Sequence, residues 1–432
     1  MKDLDCIHLI QPPHLEASIR VPGSKSLTNR ALLLAANAQG HSTLSNCLNC
    51  EDTQLMQRCL SQLGVDLQVE HDTTIKIKGH GHHLGQNFSG TLDVGTAGTA
   101  ARFLTAVLAG SHATHAQIRV DGSPRMRERP MKTLLDALHQ QGAHIEYPQK
   151  SGFLPVVLAP RRFHGGPIVL EQLASSQFIS ALLLAALAAQ QPTTIELRQG
   201  TPARPYVDMT LTMIQHFGGH ARWLDENLLE VQPGVLQATN YQVEADASAA
   251  SYFLGLAAIH GGRVEIPNLG HTSIQGDAHF HTVLGAMGAA HGQDAQRTYV
   301  QGGRRLHGVD MDLSAMPDMT LSLAVVALFA EGPTRIRGVE ILRHHECDRL
   351  AAASCELRKL GATVEEHDDG LSIHPPEGGP RHDQVIETYQ DHRMAMAFAM
   401  IGDIQIRDHH CCEKTFPTYF DELNKLGMVK IS

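Results

Sequence analysis

Six segments of small apolar residues recur along the chain, and each is apolar on nearly all sides. A helix of this kind has no polar face to present to water, so we expect all six to be buried. A short polar stretch that suits a helix cap precedes each segment. The segments are RALLLAANAQG, ARFLTAVLAG, FISALLLAALAAQ, ASYFLGLAAIHGG, LSLAVVALFAEG and RMAMAFAMIG.

A second pattern alternates with the first, in which a helix-like stretch ends at a glycine and a strand-like run follows. The glycine suits the left-handed position that ends a helix, and the residues after it suit a strand. Together the two patterns predict six units of βα type along the chain. The six glycines are Gly64, Gly142, Gly218, Gly288, Gly361 and Gly427.

The length of 432 residues is too great for one ordinary hydrophobic core, so we expect two domains of three units each. We place the crossings at Val21–Pro22 and near 242–244, which gives an N-terminal domain over 23–243. Residues 1–22 then join 244–432 in the second domain. If the buried helices of a domain are parallel, their positive ends gather at one face and attract anions.

The composition is that of a globular protein, with 42% hydrophobic and 19% charged residues. The net charge of -10 gives no reason to expect nucleic acid or an anionic membrane as a partner. The longest apolar run, 178–189, is shorter than the roughly 20 residues that a membrane span needs. The N-terminus MKDLDCIHLIQPP lacks the apolar region of a signal peptide, so we expect a cytoplasmic protein.

Cysteine and histidine are plentiful, but their spacing does not favour a metal site. Cys47 and Cys50 form one C-x-x-C with no second pair at zinc spacing, so ordinary reduced thiols are the preferred interpretation. Histidines cluster near both ends of the chain and are interpreted as solvated loop residues rather than ligands. These clusters are His80, His82 and His83, and His409 and His410.

The stretch GSKSLTNR at residues 23–30 places a lysine directly before an apolar helix. It is not a nucleotide-binding P-loop, because Ser24 stands where that motif requires the glycine before the lysine. A helix N-terminus with hydroxyls and a cation still suits a phosphate or a carboxylate. The stretch therefore predicts an anion site of another kind.

Ten motifs in order resemble the 5-enolpyruvylshikimate-3-phosphate (EPSP) synthases and cover nearly the whole chain. The resemblance implies an α/β fold of two similar domains, each made of three βαβαββ units around buried parallel helices. That arrangement is an inside-out α/β barrel with its active site in the cleft between the domains. The motifs are PGSKSLTNRALLLAA, GTAGTAARFLTA, RMRERPM, SSQFISALLLAA, RPYVDMTL, DASAASYF, PDMTLSLA, HHECDRLAAASCELRKLGA, DHRMAMAFAM and EKTFPTYF.

The resemblance implies transfer of the carboxyvinyl group of phosphoenolpyruvate to the 5-hydroxyl of shikimate 3-phosphate, with release of phosphate. The resemblance implies that this reaction is a step in the biosynthesis of chorismate and of the aromatic amino acids. The donor is small and strongly anionic, so its site needs several cations, and arginine grips carboxylate and phosphate with two parallel bonds. By resemblance, the phosphoenolpyruvate-binding residues are Lys25, Gly98, Arg125, Gln177, Arg349, Arg393 and Lys414.

The resemblance also implies which residues move protons. One group must take the proton of the acceptor hydroxyl, and another must protonate the methylene carbon of the donor. We assign Asp318 to the hydroxyl and Glu346 to the methylene. Lys25 lowers the cost of developing charge and is an alternative base. No metal and no cofactor are expected, since lysines and arginines supply the positive charge.

The acceptor half of the site departs from the family pattern. Ala203 stands where the family has a serine, His345 where it has a lysine, and Ile341 at a position that is often polar. Arg204, His344 or a protonated His345 could restore the lost contact with the acceptor. The shikimate 3-phosphate residues implied by the resemblance are Lys25, Ser26, Arg30, Ser175, Ser176, Gln177, Tyr206, Asp318 and His345.

These departures leave two alternatives to the shikimate reaction. One is a related carboxyvinyltransferase that uses phosphoenolpyruvate with a different acceptor. The other is a catalytically silent homologue that only binds ligands, although binding alone has no use for two carboxylates among cations. The resemblance implies a monomer, with phosphoenolpyruvate and shikimate 3-phosphate as its small-molecule partners.

Overall fold

The computed structural model describes residues 6–113, 115–172, 175–201, 203–303 and 305–430. The chain folds into two compact units. The N-terminal unit is Gly23–Val243, and the C-terminal unit combines Met1–Pro22 with Glu244–Ser432. Within the described ranges, no helix is both long enough and apolar enough to cross a membrane.

Helices begin and end close to the positions that the apolar segments and the glycines predict. In the N-terminal unit they are α1 (Lys25–Asn37), α2 (Glu51–Gln62), α3 (Gly98–Ala109), α4 (Pro124–Glu128), α5 (Lys132–Gln140), α6 (Ser176–Ala186) and α7 (Arg204–His216). In the C-terminal unit they are α8 (Ala247–His260), α9 (Phe280–Ala286), α10 (Thr320–Val326), α11 (Arg349–Lys359), α12 (His392–Ala399) and α13 (Tyr419–Lys425).

The strands are short and form separate sheets. They are β1 (Cys6–His8), β2 (Glu16–Ser18), β3 (Ala38–Ser45), β4 (Asp66–Glu70), β5 (Thr74–His80), β6 (Ser89–Asp93), β7 (Gln117–Asp121), β8 (His144–Glu146), β9 (Val156–Ala159), β10 (Gly166–Leu170), β11 (Thr193–Leu197), β12 (His220–Trp223), β13 (Leu228–Gln232), β14 (Leu236–Gln237), β15 (Asn240–Gln242), β16 (Arg263–Ile266), β17 (Ala290–Gln293), β18 (Thr298–Gln301), β19 (Leu306–His307), β20 (Asp310–Asp312), β21 (Ala330–Glu331), β22 (Thr334–Arg337), β23 (Thr363–His367), β24 (Gly370–His374), β25 (Val385–Ile386) and β26 (Gln405–Arg407).

One sheet order repeats three times in the N-terminal unit: β6-β7-β9-β8, β10-β11-β13-β12 and, with β14 and β15 beside β3, β3-β5-β4. In each sheet the first pair is parallel and the next two pairs are antiparallel. The parallel pair needs a crossover, and a buried helix supplies it. In the sheet that contains β3, the parallel partner of β3 comes from the end of the unit, where Tyr241 of β15 pairs in register with Leu44.

The same order builds the C-terminal unit as β2-β16-β18-β17, β20-β22-β24-β23 and β25-β26-β1, with β19 and β21 as a separate parallel pair. The prediction of three βαβαββ units is thus confirmed in both halves, with one local exception. The strand beside β26 is β1 from the N-terminal segment, and the run after Gly427 lies on the other side of that segment, where Val429 bridges Leu9 and backbone hydrogen bonds join Ile10 to Met428 and Lys430 to His8.

The six apolar segments form α1, α3, α6, α8, α10 and α12, and every described residue of α3 and α10 is buried. The helices lie inside and the sheets outside, which is the sense in which the predicted arrangement is inside-out. The described strands form open sheets rather than a closed barrel. The six predicted glycines all have positive φ, from 71° at Gly427 to 110° at Gly288, as left-handed helix ends require.

Histidines of the N-terminal unit are more deeply involved in the fold than solvated loop residues would be. His82 Nε2 lies 2.7 Å from the carbonyl oxygen of Gly234, and His112 Nε2 lies 2.8 Å from that of Ala188. The His82 and His112 ring centroids are 5.5 Å apart. Burial lowers the pKa of both histidines below the ordinary 6.5, and neighbouring imidazoles lower it further.

This arrangement predicts acid sensitivity. Because the folded pKa lies below 6.5, the unfolded chain binds protons first as pH falls, so stability is full above about 6.5 and declines below it. Urea unfolding at a series of pH values measures the decline. His112→Gln, whose amide can still donate to Ala188, should make the decline shallower, whereas His144→Gln on exposed β8 should leave it unchanged. An equal decline in all three proteins would contradict this origin.

Candidate functional site

The C-terminal unit holds a cluster of charged side chains around Arg349, the first residue of α11. This guanidinium is only 2% exposed and donates to both carboxylate oxygens of Asp391, over 2.7 and 3.2 Å. It also donates to Asp318 over 3.0 Å and to Glu346 over 2.9 Å. Burial alone lowers the pKa of Arg349, but the three carboxylates outweigh it and raise that pKa above its ordinary value.

Two further cations complete the cluster. Arg393, the second residue of α12, donates to Asp318 over 2.8 Å, to the Tyr252 hydroxyl over 3.2 Å and to the Ser248 hydroxyl over 3.3 Å. Lys414 Nζ lies 3.1 Å from Glu346 Oε1, and the lysine is 5% exposed. The structure therefore brings together six residues that the sequence predicts for the site: Asp318, His345, Glu346, Arg349, Arg393 and Lys414.

The cluster sits where helices begin. Ser248 belongs to the first turn of α8, Asp318 to the short 3-10 turn before α10, and Arg393 to the first turn of α12. Helix N-termini carry partial positive charge and unsatisfied N–H groups, so they favour anions at this place. The contacts of Arg393 with Ser248 and Asp318 thus show that the starts of α8, α10 and α12 lie together inside the C-terminal unit.

Charge in the cluster is balanced, which a list of cations alone does not predict. Arg349, Arg393 and Lys414 face an equal number of carboxylates, Asp318, Glu346 and Asp391. An anionic ligand that binds here must compete with these carboxylates for the same N–H donors. Affinity for such a ligand therefore depends on the protonation and position of the carboxylates as well as on the cations.

Asp391 is a carboxylate of this cluster that the sequence did not single out. It is fully buried, caps α12 by accepting from the Arg393 N–H over 2.9 Å, and grips Arg349 with both oxygens. Its position in the stretch QDH marks it as a helix cap. Nothing in the local sequence says that the same carboxylate also pairs with an arginine 42 residues earlier.

His345 contributes as an acceptor. Its Nδ1 lies 3.0 Å from Nη1 of Arg349, and because a guanidinium can only donate, Nδ1 accepts and the ring proton resides on Nε2. A doubly protonated ring would lose this contact with Arg349. The hypothesis that a protonated His345 replaces the family lysine therefore requires a rearrangement beside Arg349.

In the N-terminal unit, Lys25 is the first residue of α1 and pairs with Asp52 over 3.1 Å. The lysine side chain is 16% exposed and that of Asp52 is 3% exposed. Asp52 was not predicted, and it stands in the first turn of α2, where acidic residues are common at any helix start. Ser26 is half-buried beside Lys25, and its carbonyl accepts from Arg30 over 3.0 Å.

Arg30 is 2% exposed and joins three helices of the N-terminal unit. It donates to the Thr210 hydroxyl over 2.8 Å, to the Ser180 hydroxyl over 3.3 Å and to the Tyr206 carbonyl over 3.2 Å. Burial lowers the pKa of Arg30 from 12.5 to about 10. Together with its bond to Ser26, these contacts use most of the five N–H donors of an arginine. Its contact with an acceptor carboxylate stays a prediction.

Gly98 begins α3 against two buried guanidinium groups. A Cβ added there would lie 2.6 Å from Arg102 Nη1 and 2.7 Å from Arg129 Nη1, so a side chain would displace both. Each arginine is 5% exposed, and neither was predicted. The sequence did carry one signal for this pair, since Arg102 lies inside an apolar helix. A charge in such a helix is buried only when it is paired or functional.

The remaining predicted residues lie on α4, α6 and α7. Ser175 caps α6 by accepting from the Gln177 N–H over 3.3 Å, and Ser176 is buried beside it. Oε1 of Gln177 is buried and has no hydrogen-bond partner within the described part of the chain. Tyr206 lies in the first turn of α7. Arg125 is 43% exposed on α4 and pairs with Glu128 over 3.0 Å.

A family model matches almost the entire chain, over residues 10–423, and it describes EPSP synthase (3-phosphoshikimate 1-carboxyvinyltransferase). The chain belongs to the EPSP synthase family. A curated relative from Nostoc sp. strain PCC 7120 is named 3-phosphoshikimate 1-carboxyvinyltransferase. It is 42% identical over 418 residues, which cover 95% of this chain and 97% of that relative.

Solved structures agree with this membership. An EPSP synthase from Acinetobacter baumannii is 26% identical, covers 99% of this chain and 100% of its own, and superposes with a TM-score of 0.81. The enolpyruvyl transferase NikO from Streptomyces tendae is 17% identical, with 98% of each chain covered and a TM-score of 0.79. At that identity the second likeness shows the shared fold alone.

The departures from the EPSP synthase pattern have a local structural account. Ala203 has φ of 55° and ψ of 43° immediately before α7, a left-handed conformation that is unfavourable for alanine. Arg204, a candidate to compensate for the missing serine, stacks 3.9 Å over the Trp223 ring and donates to the Glu226 carbonyl over 2.9 Å. Any contact of Arg204 with an acceptor phosphate must be made from this stacked position.

The conformation of Ala203 predicts a stabilising substitution. Ala203→Gly should raise the free energy of unfolding by about 0.5–1 kcal/mol, because glycine tolerates the left-handed region and the gain exceeds its greater freedom in the unfolded chain. Urea unfolding measures the change. Ala137→Gly inside α5, where the helix favours alanine, should lower the same quantity by about 1 kcal/mol or more. A loss at Ala203 as well would show that its methyl packing matters more than its backbone.

Proposed function

We propose that this chain transfers the carboxyvinyl group of phosphoenolpyruvate to the 5-hydroxyl of shikimate 3-phosphate, giving 5-enolpyruvylshikimate 3-phosphate and phosphate. The observation that carries the proposal is the family match over residues 10–423, together with 42% identity to a relative named for this activity. The charged cluster of the C-terminal unit supports it, since it holds both cations for an anionic donor and carboxylates for proton transfer.

In this proposal Arg349, Arg393 and Lys414 supply the cations of the C-terminal unit for phosphoenolpyruvate. The N–H groups of these three residues converge within one cluster. The two arginines have guanidinium forks whose geometry matches carboxylate and phosphate groups. The N-terminal unit contributes Lys25, the backbone at Gly98, Arg125 and the amide of Gln177. The buried Oε1 of Gln177, which lacks a described partner, is suited to a ligand that carries a hydrogen-bond donor.

The reaction proceeds by addition and elimination. Asp318 accepts the proton of the 5-hydroxyl as its oxygen bonds to C2 of phosphoenolpyruvate, and a proton from Glu346 converts the methylene at C3 to a methyl group. Elimination then returns one methyl proton to Glu346, restores the C2–C3 double bond and breaks the C2–O bond to phosphate, which leaves with the proton that Asp318 had accepted. Atoms and charge balance without any further reactant.

The surroundings of Glu346 indicate where its proton comes from. Its carboxylate lies between Lys414 Nζ, at 3.1 Å, and Arg349 Nη2, at 2.9 Å. A bound anionic donor draws these cations toward itself and so increases the proton affinity of Glu346. The Lys414 ammonium is then the adjacent proton source, while Lys25 offsets charge that develops on the acceptor oxygen.

The acceptor groups are divided in the same way. The N-terminal unit is the acceptor domain of this proposal. Shikimate 3-phosphate is bound there by Ser26, Arg30, Ser175, Ser176, Gln177 and Tyr206. Asp318 and His345 contribute from the C-terminal unit, the donor domain. We further propose that the protein acts as a monomer in the cytoplasm, which sedimentation at working concentration and cell fractionation test.

Phosphate release from phosphoenolpyruvate, measured with and without shikimate 3-phosphate, tests the proposed function. We expect rapid release only with both compounds, and an equal amount of 5-enolpyruvylshikimate 3-phosphate. Binding of phosphoenolpyruvate without such release would contradict the assignment of shikimate 3-phosphate as the acceptor. It would favour a related transferase that uses another acceptor. Binding of both compounds with no product at all would favour a catalytically silent homologue.

A further inference from the structure

The loop that leads into α12 has an unfavourable backbone conformation. Tyr389 and Gln390 follow one another with φ of 54° and 57°, and neither residue is a glycine. Left-handed conformations of such residues cost energy and persist only where the surrounding contacts hold them. Asp391, which grips Arg349, is the next residue. The strained pair therefore directly precedes a carboxylate of the charged cluster.

Glu356 holds this loop from α11. Its side chain is fully buried, and Oε1 accepts from the Tyr389 hydroxyl over 2.7 Å. Oε2 accepts from Lys359 Nζ over 2.7 Å and from the Glu387 N–H over 3.2 Å. A buried carboxylate is costly unless its oxygens are satisfied in this way, so the contacts form a defined anchor rather than a chance surface pair.

The same helix holds the other end of the loop. Arg349 and Glu356 are seven residues apart on α11, so they lie on one face, two turns from each other. Arg349 binds Asp391, and Glu356 binds Tyr389 and Glu387. One rigid helix thus fixes the loop at two points, Tyr389 and Asp391, and the strained pair runs from the first of these to the residue before the second.

We propose that Tyr389 and Glu356 are positioning residues, which hold Asp391 where it can orient the Arg349 fork. The proposal rests on the proposed function, in which Arg349 binds phosphoenolpyruvate. Neither residue contacts the cations of the cluster among the described contacts, and the Tyr389 side chain is exposed to solvent on one side. Burial of the hydroxyl, with its bonds to Cys355 and Glu356, raises the pKa of Tyr389 and keeps it a proton donor.

The substitution Tyr389→Phe removes the hydroxyl and little else. We expect kcat/KM for phosphoenolpyruvate to fall by about tenfold, because a loosened Asp391 lets the Arg349 fork drift from its productive geometry. The KM for shikimate 3-phosphate should stay within about twofold, and the unfolding midpoint should change little. Tyr299→Phe, on β18 of the same unit, is the matched control and should behave as the wild type.

Glu356 variants separate positioning from general damage. Glu356→Gln keeps an acceptor for the Tyr389 hydroxyl and should retain most of the activity, whereas Glu356→Ala should lose at least as much as Tyr389→Phe, because it also removes the contact with the Glu387 N–H. The double variant Tyr389→Phe with Glu356→Ala should lose no more than Glu356→Ala alone, because the bond between Tyr389 and Glu356 is already absent in the single variant. Multiplied losses in the double variant would overturn the proposal.

The outcomes distinguish this inference from the proposed function. A wild-type protein without phosphate release dependent on shikimate 3-phosphate would refute the proposed function. An active wild type, with Tyr389→Phe indistinguishable from Tyr299→Phe in kcat and in KM for phosphoenolpyruvate, would refute only the positioning role. Equal changes in the KM of both substrates would also refute it, since Arg349 is assigned to the donor.

Discussion

Changing Arg349 to lysine is expected to lower kcat/KM for phosphoenolpyruvate by at least about a hundredfold. Lysine keeps one positive charge but cannot reproduce the planar fork that donates to Asp391, Asp318 and Glu346 at once. Changing Arg349 to alanine should in addition lower the free energy of unfolding by about 3–5 kcal/mol, because the fully buried Asp391 then loses its partner.

Steady-state phosphate release and urea unfolding measure these two effects separately. Arg358→Lys is a matched control on the same helix, where the arginine lies outside the cluster and pairs with Glu366 over 3.4 Å at the surface. We expect it to retain the activity and the stability of the wild type. Wild-type kinetics in Arg349→Lys would exclude Arg349 from the donor site.

Neutralising either carboxylate of the cluster is the second change with a large expected effect. Asp318→Asn and Glu346→Gln should each lower kcat by about 10²–10⁴-fold, because each removes one proton-transfer group. The KM for phosphoenolpyruvate should fall or stay constant, since each carboxylate competes with the donor for Arg349 and for Arg393 or Lys414. A lower kcat without weaker donor binding distinguishes a chemical role from a binding role.

Calorimetry of phosphoenolpyruvate binding, set beside the kinetics, tests this combination directly. Glu366→Gln on β23 is the control, because it also neutralises a carboxylate that pairs with an arginine, but outside the cluster. Weaker binding of phosphoenolpyruvate with kcat unchanged would contradict the proton-transfer roles and would make Asp318 and Glu346 supports for the cations.

Local sequence predicted those parts of the fold that local chemistry decides. The buried helices follow from segments such as 320–326, which are apolar on all sides, and the helix ends follow from glycines such as Gly361 with φ of 98°. The partner of the run after Gly427 had no such signal, because it is the distant N-terminal segment around β1, where Leu9 bridges Val429. Pairing between residues far apart in the chain has no local signature, so the pattern could not reveal it.

The same distinction applies to the site. Motif resemblance named Arg349, Arg393, Lys414, Asp318 and Glu346, and the structure brings these five together in the C-terminal unit. The motifs could not reveal that Asp391 neutralises the charge of Arg349, because the local sequence around a cap residue is the same whether or not that residue has a second partner. The left-handed conformation of Ala203 was equally hidden, since alanine gives no signal for a positive φ.

The most direct test of addition and elimination is the reaction of both substrates in deuterium oxide, followed by proton NMR and mass spectrometry of the product. Because C3 of phosphoenolpyruvate becomes a methyl group before phosphate leaves, we expect deuterium in the methylene group of 5-enolpyruvylshikimate 3-phosphate. Product that forms with equal release of phosphate but carries no deuterium at that carbon would contradict protonation by Glu346 and the addition step itself.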